Sequence, residues 1–266
     1  MSWVALMYHE ILRPTDGAMP HFGVRADAFA AQLDWLSANG YSVATLEEAA
    51  VRKAPRVVGL TFDDGHWSHH QRAFPMLATR SMRATFFVVT EWVGRDGYAS
   101  WEALQEMRAA GMSIQSHSAT HAYLSTVDAG TLRDELRRSK DTLDQRLGQL
   151  TSTIALPGGD EPRGRAWAAV SEAGYTLIAT SRPGANRERE QTEAGVPLIR
   201  RLTVRHGQRA TLFGKLAAQN RRVLLTAQVR HSTLETLRRV LGRGRYASWR
   251  RRVLARIPGA TKWLGS

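Results

Sequence analysis

Residues 57–62 read Val-Val-Gly-Leu-Thr-Phe and run directly into Asp63-Asp64-Gly65. An uncharged run of six, β-branched at Val57, Val58 and Thr61, has the composition of a strand buried on both faces, as in a parallel sheet covered by helices. The two carboxylates stand where that strand ends. Adjacent carboxylates there are costly unless a cation or another partner compensates them, and Gly65 lets the backbone turn sharply. In α/β folds the C-terminal ends of strands are where active sites gather.

Working outward, the flanks repeat the same alternation. On the N-terminal side, 4–8 is an apolar strand and 27–39 a helix with Phe29, Leu33 and Leu36 at helical spacing, stopped by Gly40. A strand over 41–45 and a short helix over 46–51 follow. On the C-terminal side, 69–80 is helical and 84–90 (ATFFVVT) is a second buried strand. Then come a helix over 101–110, a strand over 112–115 and a long helix over 130–147 carrying Leu132, Leu136, Leu143 and Leu147. Segments 153–156, 163–173 and 175–179 continue the pattern. Such repetition predicts parallel strands with helices packed outside, in an α/β barrel or a doubly wound sheet. The pattern alone leaves both open.

The 266 residues suffice for one large core, as a single domain or a domain with an appendage. With no cysteine, disulfides and thiolate metal sites are excluded, so any metal must sit on His, Asp or Glu. No run approaches the roughly 18 apolar residues needed to cross a bilayer. The opening MSWVALMYHE lacks the features of a secretory leader, so the expected location is cytoplasmic. The net charge of +13 is localised: residues 206–266 hold 14 Lys/Arg against one acid, Glu235, whereas 1–205 balance.

A second polar cluster follows the 112–115 strand: Ser116-His117-Ser118-Ala119-Thr120-His121. Two histidines four apart are expected on one face of a helical turn, where both imidazoles reach one ion. Two His and one carboxylate leave positions open for water and substrate, the arrangement of catalytic metals.

These motifs resemble those of the NodB-type polysaccharide deacetylases. T-F-D-D-G stands complete at 61–65 and H-[ST]-x-x-H at 117–121. The ATFFVV run, the approach GMSIQSH, the helix ending in Leu147-Gly148 and the loop LPGG at 156–159 are similar too. The resemblance spans about residues 4 to 205. It implies a distorted (β/α) barrel with fewer than eight repeats, and metal-dependent hydrolysis of an N-acetyl group on an amino sugar of a polysaccharide or lipid-linked glycan, releasing acetate. It implies Asp63 as general base and Asp64, His117 and His121 as metal ligands. Zinc is the default ion, with nickel or cobalt suiting the same ligands. The loop after Pro157 would supply the Gly158 N–H to the oxyanion.

The sequence departs from the family at two points. Position 155 is Ala where the family has an Arg that orients the base; Arg163 and Arg165 are the substitutes within reach in sequence. The family's last motif, L-x-H, supplies the general acid, and its nearest C-terminal match is Val204-Arg205-His206. The opening Ala5-Leu6-Met7-Tyr8-His9 instead resembles the circularly permuted branch that includes the poly-β-1,6-N-acetylglucosamine deacetylases. His9 is therefore the expected acid, with His206 the alternative. His66, Trp67 and Tyr123 are expected to line the sugar cleft, His69 and His70 to be exposed, and Tyr8, Trp92, Trp101 and Trp167 to be core.

The expected organisation is a deacetylase barrel over 1–205 and a basic helical extension over 206–266. Within 231–257, Leu234, Leu237, Val240, Leu241, Trp249, Val253, Leu254 and Ile257 form an apolar stripe opposed by arginines and interrupted by Gly242 and Gly244. Docking on an anionic membrane surface at the cytoplasmic leaflet is the functional expectation. A helix packed on the barrel with a solvated Arg face, and nucleic-acid binding, are the competing ones. For the whole protein the competitors are another metal-dependent amide hydrolase, acting for example on a cyclic amide, and a weakly active carbohydrate-binding protein, the latter motivated by Ala155.

Overall fold

The computed structural model describes residues 2–17, 19–52, 54, 56–161, 164, 166–187 and 190–241. Six parallel strands follow the expected alternation: β1 (Val4–Tyr8), β2 (Val57–Phe62), β3 (Thr85–Val88), β4 (Ser113–Ser116), β5 (Thr153–Ala155) and β6 (Leu177–Ala179), neighbours in the order β6-β5-β4-β3-β2-β1. One further segment joins the two ends. Its first half, β7 (Pro197–Ile199), pairs with β6; its second half, β8 (Arg201–Thr203), pairs with β1. The ladder breaks at Arg200 because Asn186 takes over both of its backbone groups, accepting from Arg200 N at 2.9 Å and donating to Arg200 O at 3.0 Å. A ring of seven staves results, which settles the sequence-level choice in favour of a barrel with fewer than eight repeats.

Alternation along the strands divides the side chains into two sets. Leu6, Leu60, Phe86 and Ile114 join a large core with the surrounding helices, whereas Ala5, Phe87, Ala155 and Ala179 form a separate inner cluster. In register, Ala5 faces both Gly59 and Arg201 across its two ladders, and Met7 faces Thr61. Small inner residues leave space at this level of the ring for one long side chain.

The helices form for ordinary local reasons. α1 (Ala26–Ala38) buries Phe29, Leu33 and Leu36 on one stripe and ends before Gly40. The long helix (Ala129–Leu147) starts at Asp128, whose carboxylate accepts from Gly130 N and Thr131 N, a cap worth about 1 kcal/mol, and stops at left-handed Gly148. Its inner face buries Leu132, Leu136, Leu143 and Leu147 together with two polar residues, Glu135 and Ser139.

Past the last strand, helices Ala210–Ala217 and Arg221–Leu241 fold back on the barrel: Phe213, Leu216, Ala217 and Leu224 join the large core, and Phe213 meets Trp35 of α1 edge-on at 5.9 Å. The part of the apolar stripe from Gly242 through Trp249, Val253, Leu254 and Ile257 lies outside the described residues, as do Arg163 and Arg165. No helix among the described residues is long and apolar enough to cross a membrane.

Candidate active site

β2 delivers Asp63 and Asp64 to the C-terminal end of the barrel, and β4 delivers His117. Asp64 adopts a left-handed backbone (φ +79), and Gly65 follows at φ +78, where a Cβ would also press on Val88 at 3.2 Å. The turn aims the two carboxylates differently. Asp63 is buried and Asp64 half-buried.

The two histidines converge on Asp64, but not as a helical turn. Residues 117–121 form an irregular loop with Ser118 (φ +65) and His121 (φ +68) both left-handed. Side-chain hydrogen bonds hold that shape: Ser118 N donates to Ser116 Oγ at 3.2 Å and His121 N to Ser118 Oγ at 3.0 Å. Non-glycine residues in this region each carry about 1–3 kcal/mol of strain, which persists only where the surroundings over-determine it. Asp64, Ser118 and His121 are three such residues in one cluster.

His117 Nδ1 donates to Ala155 O at 2.9 Å, which fixes the tautomer and turns Nε2 toward Asp64 Oδ1, 3.3 Å away. His121 Nε2 lies 3.5 Å from the same oxygen. One ligand atom from each of the three residues falls within 4.8 Å of the others. Two imidazole nitrogens and a carboxylate, pre-aimed at one point with one histidine anchored from behind, are a donor set that fits a divalent ion of the zinc type. Electrostatics agree. Burial opposes ionisation of Asp64, but the hydrogen bond from His117 and the charges of His9, His117 and His121 hold its carboxyl well below the usual range. Burial would lower His117, yet its bond to Asp64 and the charges of both aspartates raise it. Burial and the charge of His117 push His121 down to about 4.

Asp63 has a partner that the sequence reading missed. Arg201 of β8 is wholly buried, and its guanidinium grips the carboxylate with both arms, Nη1 to Oδ1 at 2.6 Å and Nη2 to Oδ2 at 2.8 Å. Its remaining donors reach Thr61 Oγ1 (3.3 Å) and Thr180 O (3.0 Å), and its face lies 5.3 Å over Phe87. Burial opposes ionisation of Asp63, but Arg201 and then His117 outweigh it and hold the pKa below the usual value. Position 155 is Ala, yet an arginine does hold Asp63: it arrives on β8, while Arg163 and Arg165, the substitutes expected from sequence, lie outside the described residues. The available signal was Arg201 inside the otherwise largely apolar Pro-Leu-Ile-Arg-Arg-Leu-Thr-Val, where the register sets it opposite Ala5 of the inner face.

His9 follows β1, and its charge acts on both aspartates. Its ring stacks on Phe22 at 4.9 Å, and its buried Nδ1 finds no hydrogen-bond partner among the described residues. His206 sits exposed on the turn after β8. His69, expected at the surface, is instead 1 % exposed: it packs on Phe62 and Phe86, its Nε2 donates to His9 O at 2.6 Å, and burial pushes its pKa down to about 4. His70 is half-buried and bonds Glu106. The aromatics are also redistributed. Tyr8 is core, as expected, and Trp101 and Trp167 are half-buried against the core clusters. Trp92 belongs to the site, 5.1 Å from the His121 ring and 4.9 Å from Tyr98.

Among the expected cleft residues, His66 is half-buried, bonded to Ser68 Oγ at 2.8 Å and bridged to Tyr98. The Trp67 ring meets His66 at 5.3 Å and carries Arg72 on its face. Tyr123, half exposed, lies over left-handed Gly158, where a Cβ would come within 2.5 Å of its ring. In the turn at Pro157–Gly159, Gly159 N and Asp160 N donate to Leu156 O and Pro157 O. Asp160 ties this turn to the Tyr123 loop by accepting from Ser125 N and Oγ.

Comparisons with known proteins agree with this geometry. The family model described as polysaccharide deacetylase matches residues 50–178. YxkH of Bacillus subtilis, a protein named for the same family, is 30% identical over 215 residues, covering 79% of this chain and 74% of its own. The poly-beta-1,6-N-acetyl-D-glucosamine N-deacetylase of Escherichia coli is 30% identical over 140 residues, covering 44% of this chain, and the match spans only 20% of that longer protein. The solved structure of IcaB from Ammonifex degensii superposes with a TM-score of 0.67 at 27% identity, covering 85% of this chain and 97% of that one.

Proposed function

The chain belongs to the polysaccharide deacetylase family, and from that premise we propose that it removes N-acetyl groups from an amino-sugar glycan by metal-assisted hydrolysis. The observation that carries the reading is the pair of carboxylates with divided tasks. Asp64 shares a focus with His117 and His121, while Asp63, its neighbour in sequence, is held apart by Arg201.

Asp64, His117 and His121 would hold the cation, zinc by default and nickel or cobalt by the same chemistry. When bound, such an ion supplies Lewis acidity to a water and to the acetyl carbonyl. Asp63 takes the proton of the attacking water, Arg201 keeping that carboxylate ionised and fixing the direction of its lone pairs. The Gly158 N–H donates to the developing oxyanion. His9 protonates the departing amine, without which the C–N bond cannot break productively. Its place directly after β1 and the effect of its charge on both aspartates favour it over exposed His206. Tyr123, Trp92, His66 and Trp67 supply rings for the sugar face.

The relative acting on poly-beta-1,6-N-acetyl-D-glucosamine supports a β-linked N-acetylglucosamine polymer or lipid-linked oligosaccharide as substrate class. A binding-only reading loses its motive, since Arg201 stands in for the arginine absent at position 155. The test is acetate release from N-acetylglucosamine oligomers of graded length. Release confined to unrelated amides, cyclic ones included, would overturn the substrate assignment.

For residues 206–266 we propose peripheral docking on an anionic membrane at the cytoplasmic leaflet. Leu225 and Val229 stand exposed one turn apart on the outer face of the last helix, beside Arg221, Arg222 and Arg230. Flotation with vesicles containing phosphatidylglycerol, compared with phosphatidylcholine alone, tests it; binding indifferent to anionic lipid would contradict it.

A further inference from the structure

Glu135 is a carboxylate on the inner face of the long helix, 5 % exposed among Leu132, Leu136 and Ser139. A charge so buried is normally neutralised by a cation, yet among the described residues no Lys, Arg or His pairs with it. Its partners all belong to the loop between the two histidines. Oε2 accepts from Ala119 N at 3.1 Å and Thr120 N at 2.9 Å, and Oε1 from the Thr120 hydroxyl at 2.7 Å. One turn further along the same face, Ser139 Oγ bonds Ser116 Oγ at 2.8 Å, and Ser116 in turn accepts from Ser118 N. The helix therefore grips the loop just before its strained left-handed stretch and within it. Glu135 supplies the acceptor for two successive amides of that loop.

We propose that Glu135 is a positioning residue for the metal site, acting through the Ala119-Thr120 backbone to hold the His121 imidazole where it meets Asp64 and His117. The inference rests on the metal reading given above. Without Glu135, two amides and a hydroxyl lose their acceptor, and the loop can relax out of the left-handed conformations at Ser118 and His121. The ligand triad then has to be reassembled at each binding event, and affinity falls. Outer partners of metal ligands contribute about 10- to 100-fold to affinity in such sites.

The experiment measures zinc affinity by competition with a chromophoric chelator for the full chain, Glu135→Met and Leu143→Ala. It is paired with amide hydrogen exchange of residues 118–121 in the metal-free proteins. Methionine keeps the length of the side chain but removes the carboxyl oxygen that both amides use; Leu143→Ala weakens the same helix without touching the loop. The expected result is about 10- to 100-fold weaker zinc binding and faster exchange at Ala119 and Thr120 in Glu135→Met, with parental affinity in Leu143→Ala. Parental zinc affinity in Glu135→Met overturns the inference and leaves the metal site standing. An equal loss in Leu143→Ala also overturns it, as general destabilisation. A parent chain that binds no zinc removes the metal reading itself.

Discussion

Replacing Arg201 with methionine strips one charge from a pair sealed inside the barrel. Four hydrogen bonds go with it, two of them to Asp63 at 2.6 and 2.8 Å. Removing one partner of a buried ion pair costs about 3–5 kcal/mol, because the survivor is left uncompensated. Asp63 can escape part of that cost by taking up a proton, and this fixes the sign of the pH dependence. In the parent its pKa is held below 3.8, so it contributes stability above that pH which is lost as pH falls through the folded value. In Arg201→Met, burial acts without the guanidinium and the folded pKa rises above the unfolded one. The contribution is then present at low pH and lost as pH rises. Activity follows the same proton: the acidic limb of kcat/KM moves upward and the rate at neutral pH falls about 100-fold or more, the usual worth of a general base. The double variant Arg201→Met/Asp63→Leu removes both charges and regains most of the stability while remaining inactive. Urea midpoints of the chelator-treated parent, Arg201→Met, Asp63→Leu and the double variant at pH 5, 7 and 8.5 complete the cycle. An Arg201→Met protein within about 1 kcal/mol of the parent, with an unmoved acidic limb, would refute the reasoning. So would a double variant as unstable as the two single losses added.

Three further expectations are open to direct measurement. His9→Asn lowers kcat by about 10²- to 10⁴-fold, with zinc affinity unchanged; an unchanged kcat would transfer the acid role to another residue such as His206. Gly158→Ala puts a methyl 2.5 Å from the Tyr123 ring and strains a backbone at φ +58, so kcat/KM falls; adding Tyr123→Ala restores part of the loss if the clash is its cause, and none if only the backbone matters. His69 is kept neutral with its pKa at about 4, so its stabilising effect is full above pH 6.5 and lost as pH falls toward 4. His69→Gln therefore flattens the acid side of the stability curve; an unchanged acid midpoint from thermal melts across pH 4–7 would contradict this.

The strands and helices were legible because each carries its own periodicity: Val57–Phe62 and Ala129–Leu147 announce themselves within a few residues. The metal-type triad was legible because Asp64, His117 and His121 lie in two compact motifs. The helical geometry assumed for His117 and His121 failed because the His121 amide, which a turn would direct to His117 O, donates to Ser118 Oγ, and because Glu135, 14 residues beyond His121, pulls the Ala119 and Thr120 amides toward the long helix. Arg201 was hidden for a related reason. An arginine in an isolated strand reads as solvated, and only closure of the ring, which sets Arg201 level with Ala5, turns it inward toward Asp63. His69 illustrates the same limit, since neighbours in sequence gave no sign that Phe62, Phe86 and the carbonyl of His9 would enclose it.

The most direct test of the central claim is acetate release from N-acetylglucosamine oligomers by the zinc-loaded protein, beside a chelator-treated sample and Asp63→Asn. Release that requires both the metal and Asp63, restored by adding zinc back to the parent alone, is the predicted result. Release that persists in Asp63→Asn or after chelation, or no release from a chain carrying one equivalent of bound zinc, would contradict it.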